Sequence, residues 1–468
     1  MLSKKLITVL AIIVFAILTV PRLFLDYGLD DDAYRSLIAA DKIIQTGIYS
    51  PSRLPGNPLF EYMLSVLIKW DGCVLINTVI LVSFLLSILA FYVLIREHAD
   101  RYILTILFSF TPILLVNAAT AMDYIPGLST MLLSYVFLIR SQCVVAGILL
   151  ALSVGFRLSN CLFFLPCILF LFLNKRSTTQ ILQFGLFSIS GSMFIYLPIF
   201  LKYGFKALII PKTYLTGSLY LLKTGYNAIA LFGLIGTITL IIVISINLNK
   251  IRLCFFDFIK TKSPTFAVEI FTIILFILLF IIHSDTTSYL IPIIPFAYLF
   301  ISRWASNVYL IFILTIVFSY SFISIEMKGG ESGKRSLCFK PSHGIILQDY
   351  EFRKYFQHLR NNIANINPSN KAVIMIGDLE PNITYKNLNI TPVEKSALGI
   401  KTASIIDADI IFKVIGKNVF LVNLLEKEGV EKLRQDGWDI FMFPINVRST
   451  CLNIYNYDPY KLGVKNLF

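Results

Sequence analysis

Charged residues are scarce in this chain. Asp, Glu, Lys and Arg make up only 15% of its 468 residues, whereas hydrophobic residues make up 56%. The mean hydropathy of +0.75 excludes an ordinary soluble globular domain. Long apolar runs with almost no charge recur through the first 325 residues. The composition therefore predicts a polytopic membrane protein.

Metal-binding motifs are missing as well. The chain has only seven cysteines, and neither a CxxC nor an HExxH spacing occurs, so a structural metal site has no support. Cys338 and Cys451 lie near the two ends of the C-terminal tail. They either form a disulfide or stay as two thiols, because sequence alone does not fix connectivity.

Nucleic-acid binding is not favoured, although the net charge is +13. Lys and Arg mostly separate one apolar run from the next, and such a distribution sets the orientation of helices in a membrane. We therefore expect no nucleic-acid partner.

The apolar runs predict a transmembrane helical bundle of about eleven spans. They cover residues 5–25, 73–95, 102–118, 124–139, 143–156, 160–173, 181–201, 226–247, 265–282, 287–301 and 306–325. With the N-terminus in the cytoplasm, basic residues such as Arg140 and Lys175 fall in inner loops, as the positive-inside rule requires. The first run is interpreted as a retained span, since no cleavage site of the Ala-x-Ala type follows it.

One loop departs from this charge rule. Residues 202–224 contain Lys202, Lys206, Lys212 and Lys223 on the predicted outer side. Either one span is miscounted, or this outer loop meets an anionic group, and both interpretations remain open.

The tail has a different composition, with dense charges and short apolar runs. Residues 350–363 and 424–436 have helical patterns, and residues 372–376, 405–414, 418–422 and 438–443 have strand patterns. The sequence thus predicts two domains: a membrane domain over residues 1–325 and an extracytoplasmic α/β domain over residues 326–468.

Three consecutive carboxylates, Asp30 to Asp32, follow the first span and begin a predicted amphipathic surface helix that ends near Gly47. An acidic side chain before the first turn caps a helix, and we assign this role to Asp30. Capping accounts for one carboxylate only, so the others are candidates for chemistry. A proline-rich turn and a second predicted amphipathic helix over residues 58–70 come next.

This order of features resembles the C-type fold of membrane glycosyltransferases, a family that includes the protein O-mannosyltransferases and the aminoarabinose transferase of lipid A. The motifs are Asp31-Asp32-Ala33-x-Arg35, Thr46-Gly47-x-Tyr49 and Pro55-Gly56-x-Pro58-Leu59. The resemblance covers residues 1–325 in layout. It implies transfer of a sugar from a polyprenyl-phosphate carrier to a glycan, lipid or protein acceptor on the non-cytoplasmic face, with inversion by direct displacement.

The resemblance also implies catalytic residues. An acidic residue of the first outer loop faces the reacting sugar. Asp31 matches it best, and the neighbouring Asp32 is the alternative for the same role. Asp123, in the second outer loop, would help to position the acceptor, unless it is an ordinary loop residue. The glutamate that the aminoarabinose transferases place before the proline turn is missing here. Glu61 lies one helical turn later and is not assigned that role.

Basic residues would hold the donor phosphate. Arg157 matches the family's Arg-x-Ser/Thr motif, although an interfacial arginine that snorkels would have the same pattern. The family's arginine before Tyr289 is replaced by Ser288, and His283 is a candidate for the lost positive charge. The predicted phosphate-binding set is Arg35, Arg53, Arg157, Lys202, Lys206, Lys212, His283 and Tyr289.

Two other functions remain open: an O-antigen-type polymerase or ligase, and a non-enzymatic transporter or flippase of lipid-linked glycans. We expect no cofactor. Three consecutive aspartates would permit a divalent metal, but hard cations need more converging oxygens. The expected location is the bacterial inner membrane, with the N-terminus cytoplasmic, the C-terminal domain periplasmic or extracellular, and membrane lipid as a further partner.

Overall fold

The computed structural model describes residues 4–28, 30–98, 100–208, 217–284, 286–329, 335–341, 344–363, 371–376, 380–386, 390–394, 398, 405–406, 410–422, 424–425, 427–442 and 465–466. Most of these residues are helical, as the sequence predicts. They form two compact units. The first comprises Met1–Gly28 and Ala39–Tyr350, and the second comprises Leu29–Ile38 and Glu351–Phe468.

The first unit is built mainly from apolar helices. These are α1 (Lys4–Leu23), α2 (Asp31–Thr46, which starts in the second unit), α3 (Pro58–Leu94), α4 (Arg101–Ser109), α5 (Pro112–Asn117), α6 (Tyr124–Ile139), α7 (Cys143–Phe156), α8 (Phe164–Leu173), α9 (Thr178–Tyr203), α10 (Gly217–Ile229), α11 (Gly233–Ile246), α12 (Leu248–Thr261), α13 (Pro264–Ile282), α14 (Ile293–Ser302), α15 (Asn307–Ser319) and the start of α16 (Ile345–Ile363), which belongs to the second unit from Glu351 onward. Short 3-10 helices cover Leu158–Phe163, Gly204–Leu208 and Thr287–Leu290. An antiparallel hairpin of β1 (Ile323–Gly329) and β2 (Arg335–Pro341), which the sequence did not predict, precedes α16.

Several predicted runs coincide with helices of the structure. α6 and α7 have the predicted bounds, and α1, α9 and α13 lie within a few residues of theirs. Their starts have local causes: Pro264 lies at the first position of α13, and Ser177 and Gln180 form a capping box at α9. Small residues let α6 and α7 approach closely. The hydrogen bond from the Ser134 hydroxyl to the Ala146 carbonyl, at 2.7 Å, shows this close approach.

Other boundaries differ from the prediction. The predicted surface helix over 58–70 and the predicted span over 73–95 form one continuous helix, α3. Gly72 lies within this helix and has a positive φ of 25°. The run over 102–118 is two helices, since Pro112 lacks an N–H and begins a new one. The run over 226–247 contains a sharp bend of 82° between Ile229 and Gly233.

By length and composition, three helical segments of the described residues are able to cross a membrane: Gly72–Leu94, Thr178–Tyr203 and Pro264–Ile282. A fourth is possible if the bent pair Tyr220–Ile229 and Gly233–Ile246 counts as one span. Six more apolar helices are shorter, with 10–17 residues. The predicted number of about eleven spans thus stays a prediction.

The second unit contains a mixed sheet of six strands, in the order β10-β9-β3-β7-β6-β4. Its elements are β3 (Ala372–Met375), α17 (Glu380–Thr384), β4 (Ile390–Glu394), β5 (Ile405–Ile406), β6 (Ile410–Val414), β7 (Val419–Val422), β8 (Leu424–Leu425), α18 (Lys427–Gln435), β9 (Asp439–Met442) and β10 (Lys465–Asn466). Strands β10, β9, β3 and β7 are parallel to one another, and β7, β6 and β4 are antiparallel.

Alternate residues of the central strand β3 cover opposite faces of this sheet. Val373 belongs to an apolar cluster with Val430 of α18, whereas Ile374 belongs to one with Phe356 of α16. The unit is therefore α/β, as the pattern of the tail predicts. Cys451 lies outside the described residues, so its pairing with Cys338 stays a prediction.

Candidate functional site

Two helix ends of the first unit meet through an ion pair. Asp123 precedes α6 and Arg157 follows α7, and the Arg157 Nη1 donates to the Asp123 Oδ2 at 3.0 Å. Asp123 occupies the cap position of α6, yet its side chain makes no capping hydrogen bond. The side chains are only 2% and 7% exposed, which is rare for charged residues unless they are paired.

Aromatic rings complete the surroundings of Arg157. Its guanidinium carbon lies 4.1 Å from the ring centroid of Tyr124 and 4.6 Å from that of Tyr289, within cation–π range of both. Burial lowers the pKa of Arg157, but the negative charge of Asp123, together with Tyr124 and Tyr289, holds the pKa above its ordinary value. The side chain therefore keeps its positive charge in a buried place.

Polar atoms beside the ion pair have no partner among the described residues. The Arg157 Nε is one of them, and the Asn160 Oδ1 is another. Asn160 is anchored through its Nδ2, which donates to the Ser153 hydroxyl at 2.9 Å, and its backbone N–H donates to the Arg157 carbonyl. A buried polar atom without a partner is costly, and a ligand or water beside the ion pair would satisfy these two atoms.

A network of polar contacts shapes the segment that carries Tyr289. Asn227 and Thr224 of α10 donate to the backbone carbonyl and the hydroxyl of Ser284 at 2.6 and 2.7 Å. The Thr287 hydroxyl donates to the Asn227 carbonyl at 2.9 Å. α10 thus fixes the turn that places Tyr289 over Arg157.

The structure brings part of the predicted phosphate-binding set together. Arg53 is exposed, and its positive charge acts against protonation of Arg157 and lowers the pKa of that residue. The ring of His283 lies 6.5 Å from that of Tyr289. Lys202 and Lys206 are exposed at the end of α9 and in the following 3-10 helix. Lys212 lies outside the described residues.

The three aspartates belong to the second unit. The backbone N–H of Asp32 donates to the Asp30 Oδ1 at 3.1 Å, so the prediction that Asp30 caps α2 is confirmed. Burial, followed by the negative charges of Asp32 and Asp31, raises the pKa of Asp30 to about 8. Asp30 therefore holds a proton at neutral pH.

Asp31 has a different environment on the same helix. Its Oδ2 accepts from the Arg35 Nε at 3.0 Å, across one helical turn, and the two side chains are 35% and 46% exposed. Exposed pairs of this kind contribute little stability, and the Asp31 carboxyl group remains accessible. Arg35 is thus the immediate partner of Asp31 on α2.

Carboxylate oxygens of Asp30, Asp31 and Asp32 all lie within 4.8 Å of one another. A divalent cation of the Mg²⁺ or Ca²⁺ type takes about six or more oxygens. These three side chains would therefore hold such an ion only with further oxygens from water or substrate. The expectation of no metal stays a prediction.

The sequence did not identify three buried acidic residues of the first unit. Glu61 accepts from the hydroxyl of Tyr49 and from the Ser52 N–H at 2.8 Å. Asp349 pairs with Arg22 at 3.2 Å, with both side chains 1% exposed. Glu269 of α13 forms a bidentate pair with Arg303, at 2.7 and 2.6 Å. A charge inside an apolar helix was the available signal for Glu269.

Comparisons with known proteins give a partial likeness of fold. No protein-family model matches this chain, and no curated protein matches it. The structure is similar to that of ArnT from Cupriavidus metallidurans in the apo state, with 15% identity and a TM-score of 0.47 over 63% of this chain and 58% of that one. It is also similar to ArnT from Cupriavidus metallidurans bound to undecaprenyl phosphate, with 14% identity and a TM-score of 0.47 over 64% of this chain and 60% of that one. The chain spans about three fifths of the length of these chains.

Proposed function

We propose that this chain is a membrane glycosyltransferase that transfers a sugar from a polyprenyl-phosphate carrier to a glycan, lipid or protein acceptor. The observation that carries the proposal is the buried guanidinium of Arg157, which uses one nitrogen for Asp123 and leaves its Nε without a partner among the described residues. A cation buried at the end of an apolar helix fits an anion that is presented by a lipid.

The chemistry of the donor explains the other groups of this site. A phosphate that leaves from the anomeric carbon takes the bonding electron pair and needs positive charge beside it. Arg157 supplies this charge, and Arg53 adds a second one in its vicinity. Arginine suits the task because its planar fork matches phosphate oxygens and stays charged at any relevant pH.

The acceptor needs a base. We assign this role to Asp31, which takes the proton of the acceptor hydroxyl as its oxygen attacks the anomeric carbon. The bond from that carbon to the phosphate oxygen breaks in the same step, so the configuration at the carbon inverts. Undecaprenyl phosphate, which is bound in one of the ArnT structures, is the carrier that we propose for this chain.

The ion pair supports a proposal about the side of the membrane on which transfer occurs. Contact between Asp123 and Arg157 requires the start of α6 and the end of α7 to lie on one side. The positive-inside rule puts this side opposite the cytoplasm. We therefore propose transfer on the non-cytoplasmic face.

Analysis of envelope glycans tests the proposed reaction. A deletion strain of the source bacterium is complemented with the wild-type chain, with Asp31→Asn or with Arg157→Gln. We expect the deletion and both variants to lack one sugar on a glycan or lipid, while the lipid-linked donor accumulates. Shorter chains of unchanged composition would indicate a polymerase instead. A normal glycan in both variants would contradict the proposed roles.

A further inference from the structure

Glu61 is a fully buried carboxyl group that the proposed reaction does not use. It lies in the first turn of α3, ahead of the apolar segment of that helix, and is 0% exposed. One oxygen accepts from the backbone N–H of Ser52 at 2.8 Å, and the other accepts from the hydroxyl of Tyr49. Burial raises the pKa of Glu61, while these two hydrogen bonds act in the opposite direction.

Both partners belong to the turn between α2 and α3. Gly56 adopts a φ of +80° there, and a Cβ on it would lie 2.6 Å from the Tyr49 hydroxyl. The Tyr196 hydroxyl donates to the Gly56 carbonyl at 3.4 Å. The turn is therefore held closely around the Tyr49 hydroxyl, with the Glu61 carboxyl at its centre.

The same framework reaches the end of α7. Tyr49 and Tyr196 share an apolar cluster with Val154, which precedes Arg157 by one helical turn. The Tyr196 hydroxyl also lies 3.2 Å from the Val154 carbonyl. The turn that carries Arg53 is thus packed against the helix that carries Arg157, and the two charges act on each other.

From this arrangement we infer that Glu61 is a positioning residue for phosphate binding. It holds the Ser52 N–H, and Arg53 is the next residue along the chain, so the carboxyl sets the direction from which Arg53 approaches the anion at Arg157. An apolar side chain would fill the same space without the cost of burying a carboxyl. The inference rests on the proposed function, because it names the device that places the second cation of that site.

The test measures binding of undecaprenyl phosphate to the purified full-length chain in lipid nanodiscs, with undecaprenol as the uncharged comparison lipid. Glu61→Gln keeps the shape but removes the charge, and it accepts a hydrogen bond through one oxygen where the carboxylate accepts through two. Tyr49→Phe removes one hydroxyl only and serves if the first variant fails to fold. Glu269→Gln is the matched control, since Glu269 is another buried carboxyl with a partner of its own.

We expect Glu61→Gln and Arg53→Gln each to weaken undecaprenyl phosphate binding about 10-fold, because each loses one charge-assisted hydrogen bond. Undecaprenol binding should not change. The double variant should bind no more weakly than Arg53→Gln alone, because Glu61 acts through Arg53. A merely structural role would give additive losses and would lower undecaprenol binding as well.

Two outcomes overturn the inference. If the wild-type chain prefers undecaprenyl phosphate and Glu61→Gln and Tyr49→Phe bind it equally well, Glu61 does not position the site. If the wild-type chain binds both lipids equally, the proposed function fails and the inference falls with it. The two failures are distinguished by the wild-type measurement alone.

Discussion

The Arg157 guanidinium and the Asp123 carboxylate meet at 3.0 Å, although 34 residues separate them along the chain. Asp123 lies at the start of α6 and Arg157 at the end of α7, and each is almost completely buried. Buried ion pairs are weak contributors to stability compared with apolar packing, so stability alone does not explain this pair. Here the pair leaves the buried Arg157 Nε without a hydrogen-bond partner among the described residues.

The first prediction separates the contribution of this pair to stability from its role in the proposed reaction. Asp123→Asn should lower the free energy of unfolding by roughly 3–5 kcal/mol, because it leaves the Arg157 charge buried without its counterion. The double variant Asp123→Val with Arg157→Met should recover most of this stability but not the transfer activity. Thermal unfolding and glycan transfer are measured on the same preparations. Recovery of activity in the double variant would contradict a role in the reaction.

A second ion pair offers the contrast. The Arg22 guanidinium is occupied by Asp349 at 3.2 Å and by the backbone carbonyls of Leu18 and Leu115 at 2.8 and 2.5 Å. We expect Arg22→Met to lower the free energy of unfolding by about 3 kcal/mol, since Asp349 loses its counterion. Affinity for undecaprenyl phosphate at a permissive temperature should not change. A selective loss of affinity would place Arg22 in the binding site instead.

Asp31 should be required for turnover and not for donor binding. Asp31→Asn keeps the size and polarity of the side chain but removes the base, so the transfer rate should fall by about 100-fold or more. Undecaprenyl phosphate binding should stay within about 2-fold of wild type, a change too small to represent a lost hydrogen bond. Asp32→Asn is the matched control on the adjacent position. Equal losses in both variants would argue for a shared role of the pair.

The proton on Asp30 predicts a dependence of stability on pH. Its pKa is raised from 3.8 to about 8. The contribution of the protonated Asp30 to the free energy of unfolding is therefore complete below pH 3.8 and is lost as the pH rises through 8. Asp30→Asn retains a good helix cap and cannot ionise. Thermal unfolding between pH 5 and pH 9 should therefore show a smaller decline for this variant than for wild type. Identical profiles would mean that Asp30 ionises normally.

The sequence predicts helices better than it predicts their breaks. The bounds of α6 and α7 follow directly from apolar runs between charged or small residues. The continuity of α3 and the 82° bend before Gly233 do not, because composition alone does not show whether a helix continues or bends at a junction. A hairpin over β1 and β2 was also missed, since its charged residues resemble a loop.

The candidate site shows the same limit. Asp123, Arg157 and Tyr289 are recognisable because a charge or a motif at the end of an apolar run is unusual. Glu61 is not, because its partners Tyr49 and Ser52 come from a turn whose path depends on Gly56 and on packing against α9. Contacts across such a turn are set by tertiary packing, and local sequence patterns do not reveal them.

Selective recognition of a lipid-linked phosphate is the central claim, and equilibrium binding in lipid nanodiscs tests it most directly. The wild-type chain should bind undecaprenyl phosphate at least about 10-fold more tightly than undecaprenol, as expected for a charge-assisted contact. Arg157→Gln should abolish this preference, whereas Arg140→Gln, which changes an exposed arginine at the end of α6, should leave it intact. Equal binding of the two lipids by the wild-type chain, or an unchanged preference in Arg157→Gln, would contradict the account.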